Sequence, residues 1–245
     1  MESTNASEGG TPGDRRPVRR RQCDRTALSD ARLTEAAIEL IVRTGIHRTT
    51  LQAVGERAGY SRALATHRFG SKAGLFTHVL KTASADWLNR VQQAVGERVG
   101  VDALCAATDA GLRFIRERPD EVRAMYMLWF LSIDLVTDYG PNIASVHRAQ
   151  RRDAEHWIRA GQDAGQIDRR VDAARVAEQY VASMAGIAYQ WLVNDGMDLE
   201  AMYGELEENL RARLQPPRRA PAARGRRVSR RAATRAATCE RRGSD

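Results

Sequence analysis

Glycine and proline residues occur in the middle of the chain at intervals that are typical of helices. They divide residues 26–215 into stretches of roughly 10 to 25 residues, lengths that are typical of helices rather than of strands. Between them, no alternation of polar and apolar residues runs far enough to indicate a strand. The sequence therefore predicts an all-α fold. The separating residues are Gly45, Gly59, Gly70, Pro119, Gly140, Pro141, Gly165 and Gly196.

Two stretches near the end of this region carry the clearest apolar stripes. Residues 172–193 have two adjacent stripes, Val176, Tyr180, Met184, Ile187, Trp191 and Ala177, Val181, Ala185, Ala188, Leu192. A helix with two apolar faces must be covered on both sides, and its small residues would let a neighbouring helix approach closely. Residues 199–214 carry a third stripe. These two helices predict a four-helix bundle between two chains; the alternative is that both are core helices of a monomer.

The positive charge of the chain is concentrated at its ends. The net charge is +8, and residues 216–245 hold ten Arg against two acids, whereas residues 73–215 have a net charge of −5. Both ends have almost no large apolar residues, so we predict a disordered basic arm at 1–25 and a disordered Arg-rich tail at 216–245. The tail could contact DNA phosphates or could be a solvated extension without a required role.

Several classes of protein are not expected. The longest apolar stretch, residues 124–136, is too short to span a bilayer, and the N-terminus lacks an apolar signal segment. The sequence therefore predicts a cytoplasmic protein. Its three cysteines are scattered, which favours neither a disulfide framework nor a zinc site. No His-x-x-x-His pair and no phosphate-binding glycine loop occurs, so we expect no metal and no cofactor.

Residues 28–76 carry the start and stop signals of several helices in close succession. Apolar residues at helical spacing over 33–41 predict a first helix that ends near Gly45. Thr49, with Gln52 three positions later, is spaced as a capping box and predicts the start of a short second helix.

The second helix ends at Gly59, which can take the left-handed conformation. Ser61 predicts the N-cap of a third helix that runs to about Phe69, and Ser71 predicts that of a fourth helix beginning at Lys72. Two helices joined by a three-residue turn are a helix-turn-helix, whose second helix enters the major groove of DNA.

This segment resembles the N-terminal domain of the TetR family of bacterial transcriptional regulators. The matching residues occur in order and without gaps, which makes the signal more specific than a lone short motif. They are Leu33-Thr34-Glu35-Ala36-Ala37, Gly45, Thr49-Thr50, Ala53-Val54, Ala58-Gly59-Tyr60-Ser61, Phe69-Gly70-Ser71-Lys72 and Leu75-Phe76.

The resemblance implies a three-helix DNA-binding domain at 26–72 and a helical ligand-binding and dimerisation domain at 73–215. For the second domain it rests only on length, helical pattern and position. It implies a homodimeric transcriptional regulator of double-stranded DNA, binding a near-palindromic operator. The leading interpretation is a repressor that responds to a small-molecule effector of unknown identity; an activator stays open.

One residue departs from the pattern of the family. The family commonly has Tyr where this chain has Thr66, and the residues just before it also differ from the usual run. Thr66 can still contact a thymine methyl group or a phosphate, but a base preference cannot be transferred from other members.

Side chains near the third helix are the candidate DNA contacts. Arg62, Thr66 and His67 are placed to reach base edges, and Lys72 is placed at a helix N-terminus where phosphates bind. The full set of predicted DNA-binding residues is Arg48, Thr50, Tyr60, Arg62, Thr66, His67, Arg68 and Lys72.

Large apolar and amphipathic residues on several helices predict a ligand pocket. Each of them could equally be ordinary core. They are Met125, Tyr126, Trp129, Phe130, Ile133, Trp157, Tyr180, Met184 and Tyr189.

Two alternatives to a ligand-responsive regulator remain. The first is an effector-independent or nonspecific DNA-binding protein that uses the Arg-rich tail. The second is an all-helical hydrolase using Ser61, because residues 59–63 approximate a nucleophile elbow. That motif needs a strand before the serine, whereas a helical stretch precedes Ser61 here, so no enzyme is expected.

Overall fold

A computed structural model describes residues 16–133, 140–194 and 196–214, with backbone alone for 16–23 and 140–142. The regular structure of this part is entirely helical, which confirms the all-α prediction. Residues 1–15 of the predicted arm and the predicted tail at 216–245 lie outside it. The helices are α1 Arg16–Thr44, α2 Leu51–Ala58, α3 Arg62–Phe69, α4 Lys72–Val95, α5 Gly100–Glu117, α6 Pro119–Leu131, α7 Gly140–Asp163, α8 Ala173–Val193 and α9 Leu199–Leu214.

Helix α1 begins earlier than the sequence predicts. The prediction of disorder up to residue 25 is wrong for residues 16–25, which form the first turns of α1. Low apolar content means that these residues cannot build a core, but Arg and Gln extend a helix readily once its other end is anchored. Pro17 does not prevent this, since the first turn of a helix needs no backbone N–H.

The cap of α2 is displaced by one residue from its predicted position. The Thr50 side chain accepts a hydrogen bond from the Ala53 backbone N–H at 3.1 Å, so Thr50 is the N-cap. Thr49 is fully buried and its hydroxyl donates instead to the Gly45 carbonyl at 3.0 Å. The capping box predicted from Thr49 and Gln52 is therefore wrong, although a short helix does begin within one residue of the position that this signal gives.

The other helix boundaries of this region follow the sequence signals. Gly59 ends α2 with a φ of 76°, in the left-handed region. The Ser61 side chain accepts from the Leu64 N–H at 3.2 Å, and the Ser71 side chain accepts from the Gly74 N–H at 3.0 Å. Because Ser61 follows a helix and caps the next one, the strand required by a nucleophile elbow is missing.

One continuous apolar cluster joins the helix-turn-helix to the rest of the described chain. Helix α6 packs against α1 and α4, so that buried residues of α1 to α4 share a cluster with residues of α5 and α6. A second cluster lies among α4, α5, α7, α8 and α9. Helix α4 belongs to both clusters, and it begins at Lys72, where the two predicted domains adjoin.

Most of the apolar stripes on α8 and α9 are covered within the chain itself. Helix α8 packs against α7, and α9 packs against α5. Val176, Ala177 and Tyr180 are buried, and so are Leu210 and Leu214. Within one chain these stripes therefore form part of the core, and dimerisation through α8 and α9 stays a prediction. A different face of α8 is exposed; it carries Ala182, Gly186, Tyr189 and Val193.

No helix in the described ranges combines the length and apolar character needed to cross a membrane.

Candidate nucleic-acid interface and internal cavity

Helix α3 has one exposed face and one face against the core. Arg62, Thr66 and His67 are exposed together with Ala63, at the spacing that places residues on one side of a helix. On the other side, Ala65 is fully buried. The three residues predicted to reach base edges therefore share a single surface. Ala63 was not predicted, although helical spacing alone places it there.

Arg68, which the sequence predicts to bind DNA, does not lie on this face. Its Nε atom is 3.1 Å from Oδ1 of Asp30 on α1, and its side chain is only 23% exposed. This ion pair joins the last turn of α3 to α1. The arrangement favours a role for Arg68 in holding α3 in place rather than in contacting DNA.

Lys72 connects the start of α4 to the loop before α2. Its Nζ donates a hydrogen bond to the His47 carbonyl at 2.9 Å and lies 5.5 Å from the centre of the Phe76 ring. Partial burial lowers the pKa of Lys72. An ammonium group has three donors, so a phosphate could still bind to those that His47 does not use.

The remaining predicted contacts surround α2 and α3. Arg48 is exposed in the loop before α2, and Thr50 is exposed at the N-cap of that helix. Tyr60 is half-buried in the turn between the two helices and packs against the core. His47, which was not predicted, is exposed beside Arg48; nothing in its local sequence marked it.

An internal cavity lies among the helices that follow α3. Its empty space is about 770 Å³ when the part that is open to solvent is counted with it. Six of the nine predicted pocket residues line it, and they come from α6, α7 and α8. They are Met125, Tyr126, Trp129, Trp157, Tyr180 and Met184.

The other three predicted pocket residues lie at the surface. Phe130 is 49% exposed, Ile133 71% and Tyr189 37%. The rings of Phe130 and Tyr189 pack edge to face with their centres 5.1 Å apart. Phe130 is adjacent in sequence to Trp129, and one residue turns a helix by about 100°, which directs the two side chains differently.

The cavity also contains residues that were not predicted. Trp87, Phe114 and Tyr203 add aromatic side chains from α4, α5 and α9. The polar part of the lining comes from α7, where His147, Gln150 and Asp153 recur at steps of three. That spacing was visible in the sequence, but it does not reveal which face of α7 is covered by other helices.

The tyrosine hydroxyls of the cavity are used in bonds to backbone carbonyls. Tyr126 donates to the Ala185 carbonyl at 2.8 Å, and Tyr180 donates to the Leu104 carbonyl at 3.1 Å. Tyr203 is 3.4 Å from its acceptor on α8. Burial raises the pKa of all three phenols. The cavity is therefore lined by tyrosine rings whose hydroxyls already have partners.

Two polar groups of the lining have no such partner. No hydrogen bond or ion pair joins the Asp153 carboxylate to another described residue, and the same is true of the buried indole N–H of Trp129. His147, by contrast, lies 3.2 Å from the Gln150 side chain. Burial raises the pKa of Asp153 and lowers that of His147. No group of three possible metal ligands occurs among the described residues.

The helix-turn-helix segment matches a known protein family. Residues 33–79 match the family model described as bacterial regulatory proteins, tetR family. This range confirms the resemblance seen in the sequence and includes α2 and α3 with their turn. No curated protein matches the chain significantly.

Solved structures of regulators share the fold over most of the chain. A bacterial regulatory protein in the tetR family from Rhodococcus RHA1 is 16% identical, with a TM-score of 0.63, covering 77% of this chain and 98% of its own. SmeT in complex with triclosan is 18% identical, with a TM-score of 0.66 and coverages of 80% and 96%.

A third similar structure also holds a ligand. The transcriptional regulator FadR from Bacillus subtilis, in complex with stearoyl-CoA, is 15% identical, with a TM-score of 0.63 and coverages of 74% and 96%. At these identities the likeness establishes the fold. The chain has the fold of TetR-family transcriptional regulators.

Proposed function

We propose that this chain is a cytoplasmic, sequence-specific DNA-binding transcriptional regulator without enzymatic activity, and that it reads DNA with the exposed face of α3. The observation that carries the proposal is the grouping of Arg62, Thr66 and His67 on that face, within a segment that matches the tetR family. A short helix with polar side chains on one face and a buried opposite face is suited to the major groove.

The residues of this surface have different roles in the proposal. Arg62 can make a bidentate contact to guanine, and Thr66 can contact a thymine methyl group. Arg48, Thr50 and Tyr60 are placed beside α3, where phosphate contacts fix the position of the protein on DNA. Lys72 keeps its predicted phosphate role, with one donor committed to His47.

The regulator acts as a homodimer in this proposal. The exposed face of α8, with Ala182, Gly186, Tyr189 and Val193, offers small and apolar residues that a second copy could cover. Two copies related by a two-fold axis would present two α3 helices to successive major grooves about 34 Å apart. The operator is then a near-palindrome.

The aromatic cavity is the proposed effector site. An effector that binds more tightly to a conformation unsuited to the operator would release the protein from DNA, which makes the chain a ligand-responsive repressor. The cavity has the predominantly apolar and aromatic lining of small-molecule sites. Two proteins of the same fold were solved with triclosan and with stearoyl-CoA, respectively.

Selection of bound fragments from random and genomic DNA tests the proposal. We expect a near-palindromic consensus at physiological salt. Arg62→Ala should weaken consensus binding by about 1 to 3 kcal/mol and relax the base preference at one position in each half-site. Arg159→Ala, an exposed change on α7, is the matched control and should leave binding unchanged. A folded Arg62→Ala, Thr66→Ala, His67→Ala triple variant with unchanged consensus affinity would contradict the proposal.

The Arg-rich tail provides the second candidate function. Ten Arg in residues 216–245 could bind DNA phosphates without sequence preference. A chain truncated after Gln215 separates the two functions. Recovery of the same consensus by both forms favours the specific regulator, whereas loss of all binding on truncation and the absence of a consensus favour nonspecific attraction.

A further inference from the structure

The lining of the cavity combines many aromatic rings with a single acidic side chain. Among the residues that the structure describes, seven aromatic residues line it, and the only ionisable ones besides tyrosine are His147 and Asp153. No Lys or Arg of the described residues belongs to the lining. Burial lowers the pKa of His147, which favours its neutral form. The acidic group available inside the cavity is therefore the Asp153 carboxyl.

Asp153 lacks the partners that a half-buried carboxylate usually has. No hydrogen bond or ion pair reaches it from another described residue, and it is on α7 three residues after Gln150. Burial raises the pKa of Asp153, and the exposed Arg152 and His156 on the same helix oppose this shift; both of them lie outside the lining. A cation placed against this partly desolvated carboxylate would favour its charged form, and no described residue of the lining supplies one.

We propose that the cavity binds a hydrophobic molecule carrying a positively charged nitrogen, with the nitrogen against Asp153 and the apolar part among the aromatic rings. This inference rests on the proposed function only in taking the cavity as the effector site.

The chemistry of the lining discriminates among classes of ligand. A cation restores the charge balance of Asp153, and tryptophan and tyrosine rings attract cations at their faces. A carboxylate ligand would meet one negative charge and no positive one. The unpaired indole N–H of Trp129 can donate to an oxygen atom of the ligand. The ligand would then have two polar contacts, one to Asp153 and one to Trp129.

Three probes with one apolar tail and different head groups test the charge preference. Phenylbutylamine is a cation at neutral pH, phenylbutanol is neutral and phenylbutanoate is an anion. Calorimetric titration of the full chain with each probe should show the amine binding at least about tenfold more tightly than the other two, the size of effect expected for a charge-assisted contact away from bulk water.

Two variants on α7 assign the preference to one side chain. Asp153→Asn should weaken amine binding about tenfold and leave alcohol binding within about twofold, since it removes the charge with little change of shape. Asp163→Asn, an exposed change on the same helix, should alter neither. If Asp153→Asn does not fold, the comparison of the three probes with the unaltered chain decides alone.

The contradicting results are equally specific. Equal binding of amine and alcohol, tightest binding of the carboxylate, or no binding of any probe would overturn the proposed ligand class. Amine binding that Asp153→Asn leaves unchanged would overturn the role of Asp153. Binding of the same preparation to the selected operator is measured in parallel, so retained operator binding shows that only the ligand inference has failed.

Discussion

Individual side chains in this protein are often held by backbone carbonyls rather than by other side chains. Lys72 donates to the His47 carbonyl, and Tyr126 donates to the Ala185 carbonyl. Such bonds depend on where the backbone of a distant helix or loop lies. The sequence shows that lysine and tyrosine side chains can donate hydrogen bonds. It does not show that the donor is already bonded to a backbone carbonyl far away in the sequence.

His147 offers a test at the scale of one residue. Burial lowers the pKa of its imidazole in the folded chain, so the unfolded chain takes up a proton first as the pH falls. The contribution of His147 to stability is therefore complete above the ordinary His pKa and is lost as the pH falls through the folded pKa. His147→Gln should flatten the decline of the unfolding temperature between about pH 8 and pH 5.

The control for this prediction lies on the same helix. His156 is exposed, and His156→Gln should keep the pH profile of the unaltered chain. Thermal unfolding followed by circular dichroism gives the profiles. If the two variants and the unaltered chain decline in parallel, burial of His147 does not shape the pH dependence.

The ends of the helices were easier to predict from the sequence than the face of each helix that is buried. Gly59, Ser61 and Ser71 marked helix ends that the structure confirms, because caps and left-handed glycines act over three or four residues. Phe130 and Tyr189 were predicted in the pocket, yet they lie at the surface. Helical spacing tells which residues share a face, but which face another helix covers depends on packing between distant parts of the chain.

The junction of α3 and α4 gives a test at the scale of elements. A Cβ atom on Gly74 would lie 1.9 Å from the Phe69 carbonyl oxygen, a contact between two backbones that cannot easily separate. Gly74→Ala should destabilise the fold by about 1 to 3 kcal/mol, as expected for overpacking. Because the junction holds the end of α3, operator binding should weaken as well. Denaturant unfolding and operator titration measure the two effects.

The same substitution at an open position is the matched control. Gly204 lies in α9, and no atom lies within 4 Å of where its Cβ would be. Gly204→Ala should stabilise the fold by up to about 1 kcal/mol, because alanine favours a helix. Equal effects of the two substitutions would mean that the close approach of α3 and α4 does not limit what residue 74 can be.

At the scale of the whole molecule, α8 has one side that packs within the chain and another side that is exposed. Its apolar stripes pack inside the chain, and its small exposed residues remain open to a second copy. Gly186 is exposed within the helix, with no atom within 4 Å of a Cβ placed there. We therefore expect a larger side chain at this exposed position to leave the fold of one chain intact, whereas it would obstruct a closely packed neighbouring helix.

Gly186→Leu should consequently act in opposite directions on folding and on association. We expect a gain of about 0.5 to 1 kcal/mol in the stability of the single chain, because leucine is a better helix former than glycine. We also expect weaker dimerisation, measured by sedimentation over a range of concentrations. Ala85→Leu, an exposed change on α4, is the control and should not alter association. An unchanged dimer in Gly186→Leu would place the interface elsewhere.

The distribution of tryptophan in the fold has a spectroscopic consequence. Of the four tryptophans in the chain, Trp87, Trp129 and Trp157 line the cavity. Trp191 lies outside the lining, with the Arg116 guanidinium 6.0 Å from its ring centre. Three of the four intrinsic fluorophores of this kind are therefore in the walls of one compartment. We expect a molecule that enters it to change the tryptophan fluorescence of the chain without any attached dye.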